Sequence, residues 1–405
     1  QQKFSLDLPF LVALAHQCFH NEYVYPLDAG ETEVLERVLR NRDPGTLSVQ
    51  EAALIAAYEP LYRMDPERVR IIRDHHAGET LFRELIREQI EEPMTERALA
   101  SDIPSVTAIE HAVSRAVREQ YEDNPYPRWG PVGRLVTRPI ASVLTGLFPF
   151  LSDCDRRWPD SPSILVAGCG TGHQSVATAQ RFQRCRVTAL DLSLSSLAFA
   201  RRKTREAGIG NIEYLQGDIL EIGDWDKRFD VIESTGVLHH LSEPMAGWQA
   251  LRGLLRPGGF MKIGLYSELG RQSIVAAREL IARQGLDSTP EAMRDARRLI
   301  MSLPDSHPAR QVTERPDFYT MSTCRDLLFH VQEHRLTLPE ISAMLKQLNL
   351  EFLGFELPSN EIARSYRSTY PGDPDMRSLD NWHRFEQEHA GTFSRMYLFW
   401  AAAPE

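Results

Sequence analysis

Cysteine is scarce in this chain and scattered where it occurs. Cys18, Cys154, Cys169, Cys185 and Cys324 are spread over 405 residues, odd in number and without a CxxC pair. That distribution fits reduced thiols and excludes both a disulfide framework and a zinc knuckle. Also lacking is a run of about 18 apolar residues, the length a membrane-spanning helix needs. The first ten residues, Gln1 to Phe10, have no basic stretch followed by an apolar one, so no secretory signal is indicated. The chain is therefore expected to be cytoplasmic, without a membrane partner. Positive charge is in deficit: 46 Lys and Arg face 56 Asp and Glu, for a net charge of −10. The arginines are interspersed with acids, so no clustered positive field meets a phosphate backbone, and nucleic acid is not favoured. What is present, 42% hydrophobic and 25% charged residues, is the balance of a globular protein long enough for two or three packed units.

Residues 1–119 read as a helical N-terminal domain. "FLVALAHQCFHNEYVY" and "GETEVLERVLRNRD" place apolar residues at three-to-four spacing, and "SVQEAALIAAYEPLYRM" opens with Ser48 and Glu51 at capping-box spacing. No signature recurs at a period of 33 or 34 residues, so no helical repeat is assigned. Residues 120–158 begin with "QYEDNPYPRWGP", whose prolines forbid a helix. Tyr121, Tyr126 and Trp129 either dock this linker on the next domain or form an aromatic lid over a ligand. Residues 159–270 alternate strand and helix: "ILVAGC", "RVTALDLS", "IEYLQGD", "FDVIESTGVLHHL" and "FMKIGLY" are strand-led, with helical segments between them. Such alternation predicts an α/β doubly wound, Rossmann-like parallel sheet, with ligands at the carboxyl ends of its strands. Residues 271–345 return to helical patterns and form a helical insertion or cap. Residues 346–405 contain "EFLGFELP" and "FSRMYLFWAAA", two strands that complete the sheet.

The stretch "ILVAGCGTGHQ" puts Gly168, Gly170 and Gly172 between a strand and a helix, where backbone must turn sharply and approach a ligand closely. A dinucleotide loop has GxGxxG; here the final position is His173 and the third glycine comes one residue early, which favours a ligand smaller or less anionic than a pyrophosphate. Asp191, at the tip of the second strand, is placed to accept both hydroxyls of a ribose. Asp218, in "LQGD" at the end of the third, can accept from an exocyclic amine such as that of adenine. Each acid alone is as readily a cap or turn residue; in order at strand ends they point to a nucleoside. Cys169, inside the loop, is better explained as a small side chain facing the sheet than as a nucleophile.

"VAGCGTGHQS", "ALDLS", "QGDI", "FDVIESTGVLHHL" and "LLRPGG", in this order, resemble the motifs of the class I S-adenosylmethionine-dependent methyltransferases, over about residues 160–270 and the two terminal strands. The resemblance implies a seven-stranded sheet with its last strand antiparallel. It implies that Gly168, Cys169, Gly170 and Gly172 face the methionine portion of S-adenosylmethionine, Asp191 with Leu192 the ribose, and Asp218 with Ile219 the adenine. Ser234, Thr235 and Gly236 would lie near the methionine end. The "NPYPRW" segment and the later "FYTMSTCRDLLFHVQEHR" are similar to those of a bacterial subgroup of this family with a helical N-terminal extension.

Methyl transfer from a sulfonium is an in-line displacement that needs a base only where the acceptor must lose a proton. His240 and His239, after the fourth strand, are the candidate bases, with framework packing as the competing role; Tyr126 is a further catalytic candidate from the lid. Acceptor contacts are assigned to Trp129, Tyr266, Tyr319, Arg325, His330, Glu333 and His334. An aromatic lid of this kind also suits a positively charged acceptor. On a helix, "HVQEH" would set His330, Glu333 and His334 on one face in the HxxEH pattern of inverted zinc proteases, but no third ligand is identifiable and no metal is assigned. The expected activity is transfer of a methyl group to an N or O atom of a peptide, a protein side chain or a natural product, yielding S-adenosylhomocysteine. A non-catalytic S-adenosylmethionine-binding scaffold and a metal-dependent hydrolase are the alternatives. The accessory helices suit a bulky acceptor or a homodimer.

Overall fold

In a computed structural model, residues 7–405 are described apart from 42, 43, 124, 126, 131, 134 and 155. The chain divides into two compact units, one of residues 1–101 with 273–330, the other of residues 102–272 with 331–405. The N-terminal helices and residues 273–330 of the expected insertion share one unit.

The second unit is built on seven strands in the order β3-β2-β1-β4-β5-β7-β6: β1 Ser163–Ala167, β2 Arg186–Asp191, β3 Ile212–Gln216, β4 Phe229–Thr235, β5 Leu255–Leu265, β6 Glu351–Phe355 and β7 Tyr397–Ala402. Every strand predicted from "ILVAGC" to the terminal pair is present. The first five run parallel, while β7 is antiparallel to both β5 and β6. In β1, Ile164 to Ala167 are all fully buried, as expected of a central strand covered on both faces by crossover helices. The strand order reverses beside β1, which puts the ends of β1 and β4 at the natural ligand crevice. Helices His173–Arg181, Leu194–Glu206 and Pro244–Gly253 supply the crossovers. Beyond the sequence expectation, helices Asn360–Thr369 and Leu379–Glu388 lie between β6 and β7. Their Tyr366 and Trp382 stack at 3.9 Å and are buried in the sheet unit's core.

The first unit is helical. Helix Leu8–His20 contributes Leu11, Val12 and Ala15 to a core shared with helix Val49–Ala56 and with Phe82, Leu85 and Ile90. The capping box read from Ser48 and Glu51 is formed. A second core gathers Ile274, Met293, Ile300, Phe318 and Cys324 of the insertion around Val24. Polar contacts fix the same junction: Arg297 Nη1 donates to the Val24 carbonyl at 2.9 Å, and Ser322 donates its amide and hydroxyl to Glu22 at 2.5 and 2.8 Å. Glu22 and Tyr23 hold left-handed backbone, φ 56° and 57°, the local strain that turns the chain into these contacts. Among the described residues no helix is long and apolar enough to cross a membrane.

Candidate functional site

The site is built at the carboxyl ends of β1, β2, β3 and β4. Gly168, Gly170 and Gly172 take φ of 75°, 52° and 83°, values side chains rarely tolerate. A Cβ on Gly168 would meet Val237 Cγ2 at 2.3 Å, and one on Gly172 would meet Ala200 Cβ at 2.6 Å, so close approach as well as turning requires glycine. The loop's amides are turned into the protein. Gly168 N and Cys169 N donate to the Leu190 carbonyl at 2.8 and 2.9 Å, Gly172 N donates to Cys169 O at 2.9 Å, and Gly170 N donates to Asp191 Oδ2 at 2.7 Å. A loop so engaged has few donors left for a pyrophosphate, the distinction drawn from the early third glycine. Burial first, and the nearby Asp191 second, push the Cys169 thiol well above its ordinary range. It is a protonated, packed thiol and no nucleophile.

Asp191 holds the loop with one oxygen and accepts from Ser193 N with the other at 3.0 Å. Burial raises its carboxyl above the usual range against these hydrogen bonds, and Glu122 adds to the rise. Each oxygen has further acceptor capacity, so a ribose remains compatible. The Leu192 carbonyl accepts from Gln216 Nε2 at 3.0 Å.

Asp218 is fully buried. Its Oδ1 accepts from Leu220 N at 3.0 Å, opening the short turn Ile219–Glu221, while its Oδ2 has no hydrogen-bond partner among the described residues. Ser234 Oγ at the end of β4 is also fully buried without a partner. Buried polar atoms are normally satisfied; these two orphans lie at positions assigned to the adenine and methionine ends of one ligand. Thr235 Oγ1 accepts from Gln174 Nε2 at 3.3 Å, and Gly236, φ 78°, donates its amide to Gly264 O at 3.2 Å.

Around this crevice stand Glu122 and segment 104–107, not singled out from sequence, and Glu233, read from sequence as a possible part of the cofactor or acceptor wall. Glu122 accepts from Leu194 N at 2.7 Å and Ser195 N at 3.0 Å, capping helix Leu194–Glu206. Segment 104–107 runs along the free edge of β3, with Val106 N donating to Gln216 O and Thr107 Oγ1 accepting from Asp218 N, both at 2.8 Å. No period or motif marks either. Glu233, buried in β4, accepts from Gln174 at 2.8 Å and Thr178 at 2.7 Å. It lines a cavity of about 540 Å³ with Arg181 and Lys262, apart from the glycine loop.

The aromatic linker meets the loop directly. Trp129 Nε1 donates to Thr171 O at 2.8 Å, Thr171 Oγ1 donates to Pro127 O, and the Trp129 ring packs edge-on against His173 and Phe199 with Lys203 above it at 5.5 Å. Docking is thus the contact made, on the loop itself. Tyr126 lies outside the described residues.

His239 and His240 sit in the buried turn Leu238–His240. His240 Nδ1 lies 2.6 Å from the Gln332 carbonyl. Since a carbonyl only accepts, Nδ1 carries a proton. The His239 ring lies 3.8 Å from the Tyr266 ring, and the Arg271 guanidinium covers Tyr266 at 3.6 Å. Glu333 closes the stack with a two-pronged ion pair to Arg271 at 2.9 and 2.6 Å, both side chains almost fully buried.

This corrects the expectation for "HVQEH". The helix ends at Phe329, His330 is its C-cap with extended backbone, and residues 331–335 are not helical. The common face needed for an HxxEH metal motif does not form, and both Glu333 oxygens serve Arg271. His334 donates its amide to His239 O at 2.8 Å, and its ring nitrogen accepts from Gln332 Nε2 at 2.9 Å. Tyr319, Arg325 and His330 belong to the helical unit. There Tyr319, half exposed, donates to Thr313 O at 2.9 Å, Arg325 is buried, and Arg278 donates to the His330 carbonyl at 2.7 Å.

The fold and the glycine-loop crevice define a class I S-adenosylmethionine-dependent methyltransferase domain, an enzyme domain whose cofactor is S-adenosylmethionine. Comparison with known proteins agrees: residues 164–259 match the family model described as a methyltransferase domain. An uncharacterized Synechococcus protein is 29% identical over 69% of this chain and 69% of its own length. The malonyl-[acyl-carrier protein] O-methyltransferase of Enterobacter lignolyticus is 33% identical over 32% of this chain and 47% of that enzyme. The ubiquinone biosynthesis O-methyltransferase of Erwinia tasmaniensis is 32% identical over 27% and 43%. The chain thus spans less than half of either enzyme. PKMT2 from Rickettsia typhi, solved in complex with AdoHcy, shares the fold with TM-score 0.50 and 17% identity over 69% of this chain and 55% of that one. The buried Asp218 and Ser234 orphans and the Gly168 cradle fit the cofactor.

Proposed function

We propose that the chain methylates a hydroxyl oxygen of a small natural product or a peptide side chain, with His240 as general base. Gly168, Gly170 and Gly172 cradle the methionine portion of S-adenosylmethionine, Asp191 accepts from the ribose and Asp218 from the adenine amine. When bound, S-adenosylmethionine would supply an electrophilic methyl to the acceptor oxygen, the C–O bond forming as the C–S electron pair returns to sulfur and S-adenosylhomocysteine is left. The hydroxyl proton goes to His240 Nε2. The anchored ring carries this choice: its 2.6 Å contact to the Gln332 carbonyl orients an imidazole of the kind that serves as a base near neutral pH. The two named relatives reported above are O-methyltransferases, which supports the same atom.

Calorimetric titration with S-adenosylmethionine and S-adenosylhomocysteine, with NAD as control, comes first. Turnover is then followed with hydroxyl, carboxylate and amine acceptors. Hydroxyl methylation that rises with pH and falls at least a hundredfold in His240→Gln, with cofactor affinity unchanged, is the expected result; general bases contribute about 10²–10⁴-fold. Methylation confined to amines, or full rate in His240→Gln, sinks the hydroxyl assignment. Binding without turnover on any acceptor returns the chain to a cofactor-binding scaffold.

A further inference from the structure

We infer that the helical unit carries a divalent transition-metal site, of the zinc class, formed by His16, His20 and Glu88. The two histidines stand one turn apart on helix Leu8–His20, so their rings project from the same face. Both reach one carboxylate oxygen: Glu88 Oε2 lies 2.8 Å from His16 Nδ1 and 3.2 Å from His20 Nε2. All three donor atoms lie within 4.8 Å of one another. Two imidazoles and a carboxylate are the donor set that suits zinc and its neighbours. Tetrahedral zinc with bonds of about 2.0–2.1 Å separates its ligands by about 3.3 Å, so the His16–Glu88 edge needs to open by only about 0.5 Å.

The backbone around Glu88 is specialised for presenting it. Residues Arg87–Glu91 form a π turn within an otherwise α-helical run, a feature frequent at functional sites. It is anchored from behind by Gln89, fully buried, which accepts from Leu61 N at 3.1 Å and donates to the Ala56 carbonyl at 3.3 Å. Arg87 pairs with Glu84 at 2.7 Å and with Glu92 at 2.9 Å, which directs its charge mainly to those acids rather than to Glu88, 3.8 Å away. Side-chain exposure rises from 19% at Glu88 and 23% at His16 to 61% at His20. A metal here is bound on its inner side by Glu88 and His16 and open outward, where water completes the shell. The ion would tie the first helix to the π turn; the hydrogen-bonded triad alone does the same with less strength.

The test uses the full chain, stripped with a chelator and titrated with Zn²⁺ against a chromophoric competitor, with Co²⁺ as a spectroscopic probe. One site per chain is expected, with a cobalt spectrum free of thiolate charge transfer. His20→Ala, at the most exposed ligand, and Glu88→Gln, which keeps shape and hydrogen bonding, each weaken Zn²⁺ at least about tenfold, the equivalent of 1.4 kcal/mol. His75→Ala leaves binding unchanged. Circular dichroism confirms that each variant folds. No zinc uptake by the wild type, equal affinity in His20→Ala and Glu88→Gln, or a thiolate band in the cobalt spectrum each overturns the assignment.

Discussion

Asp218→Asn isolates the contact proposed to read adenine. In the unliganded protein Oδ1 accepts from Leu220 N, and the asparagine carbonyl keeps that bond. The amide nitrogen then replaces Oδ2, the buried oxygen with no partner, so the empty protein loses no hydrogen bond and its unfolding midpoint should not fall. With the cofactor bound, an accepting carboxylate becomes a donor facing the donor amine of adenine. A hydrogen bond to a charged group contributes about 1.5–3 kcal/mol, which at 1.4 kcal/mol per decade weakens S-adenosylhomocysteine by about 10- to 150-fold. Calorimetry with S-adenosylhomocysteine and with its inosyl analogue, which carries an acceptor oxygen in place of the amine, measures both sides of the exchange. The wild type should prefer the adenosyl compound and the variant the inosyl one. Unchanged affinity with unchanged preference would refute the placement of adenine at Asp218.

Two further substitutions probe the frame around the crevice. Glu333→Gln leaves the buried Arg271 without its counter-charge and should cost about 3–5 kcal/mol of unfolding free energy by denaturant titration; a change within about 0.5 kcal/mol would show that the pair is dispensable. Glu386, buried, accepts from Ser267 at 2.5 Å and Tyr397 at 2.6 Å, yet burial outweighs these bonds and raises its carboxyl above the ordinary range. Its stabilising contribution is therefore complete below the ordinary carboxyl pKa and is lost as pH rises through the raised one. Glu386→Gln should flatten that part of the stability–pH curve measured by urea unfolding; the same slope in both proteins would place the titration elsewhere.

The crevice was legible in sequence because its constraints are local. Gly168 and Gly172 are required by their own φ and by one close neighbour each, and Asp191 and Asp218 by their places at strand ends. The strands themselves followed from buried apolar runs between turn residues. Long-range pairing left no such trace. Glu122 caps a helix that begins at Leu194, and segment 104–107 joins the sheet edge by an isolated bridge between Ser105 and Gln216, neither of which has a spacing to read. "HVQEH" failed for a physical reason: helical periodicity in five residues cannot show that the helix ends at His330, after which Glu333 pairs with the buried Arg271. The union of the N-terminal helices with residues 273–330 rests on backbone carbonyls at Tyr23 and Val24 receiving arginines far along the chain, groups every residue possesses.

The antiparallel β7 has a bearing on how the molecule is made. It lies between β5 and β6, so on the ribosome β6 emerges with no strand to pair with, and Leu265 waits for Tyr397 across the whole insertion. Closing so long a loop is entropically slow. Until residues 397–402 are available, the β5 edge that β7 covers stays unpaired, and an unpaired strand edge is the kind of surface on which chains associate prematurely.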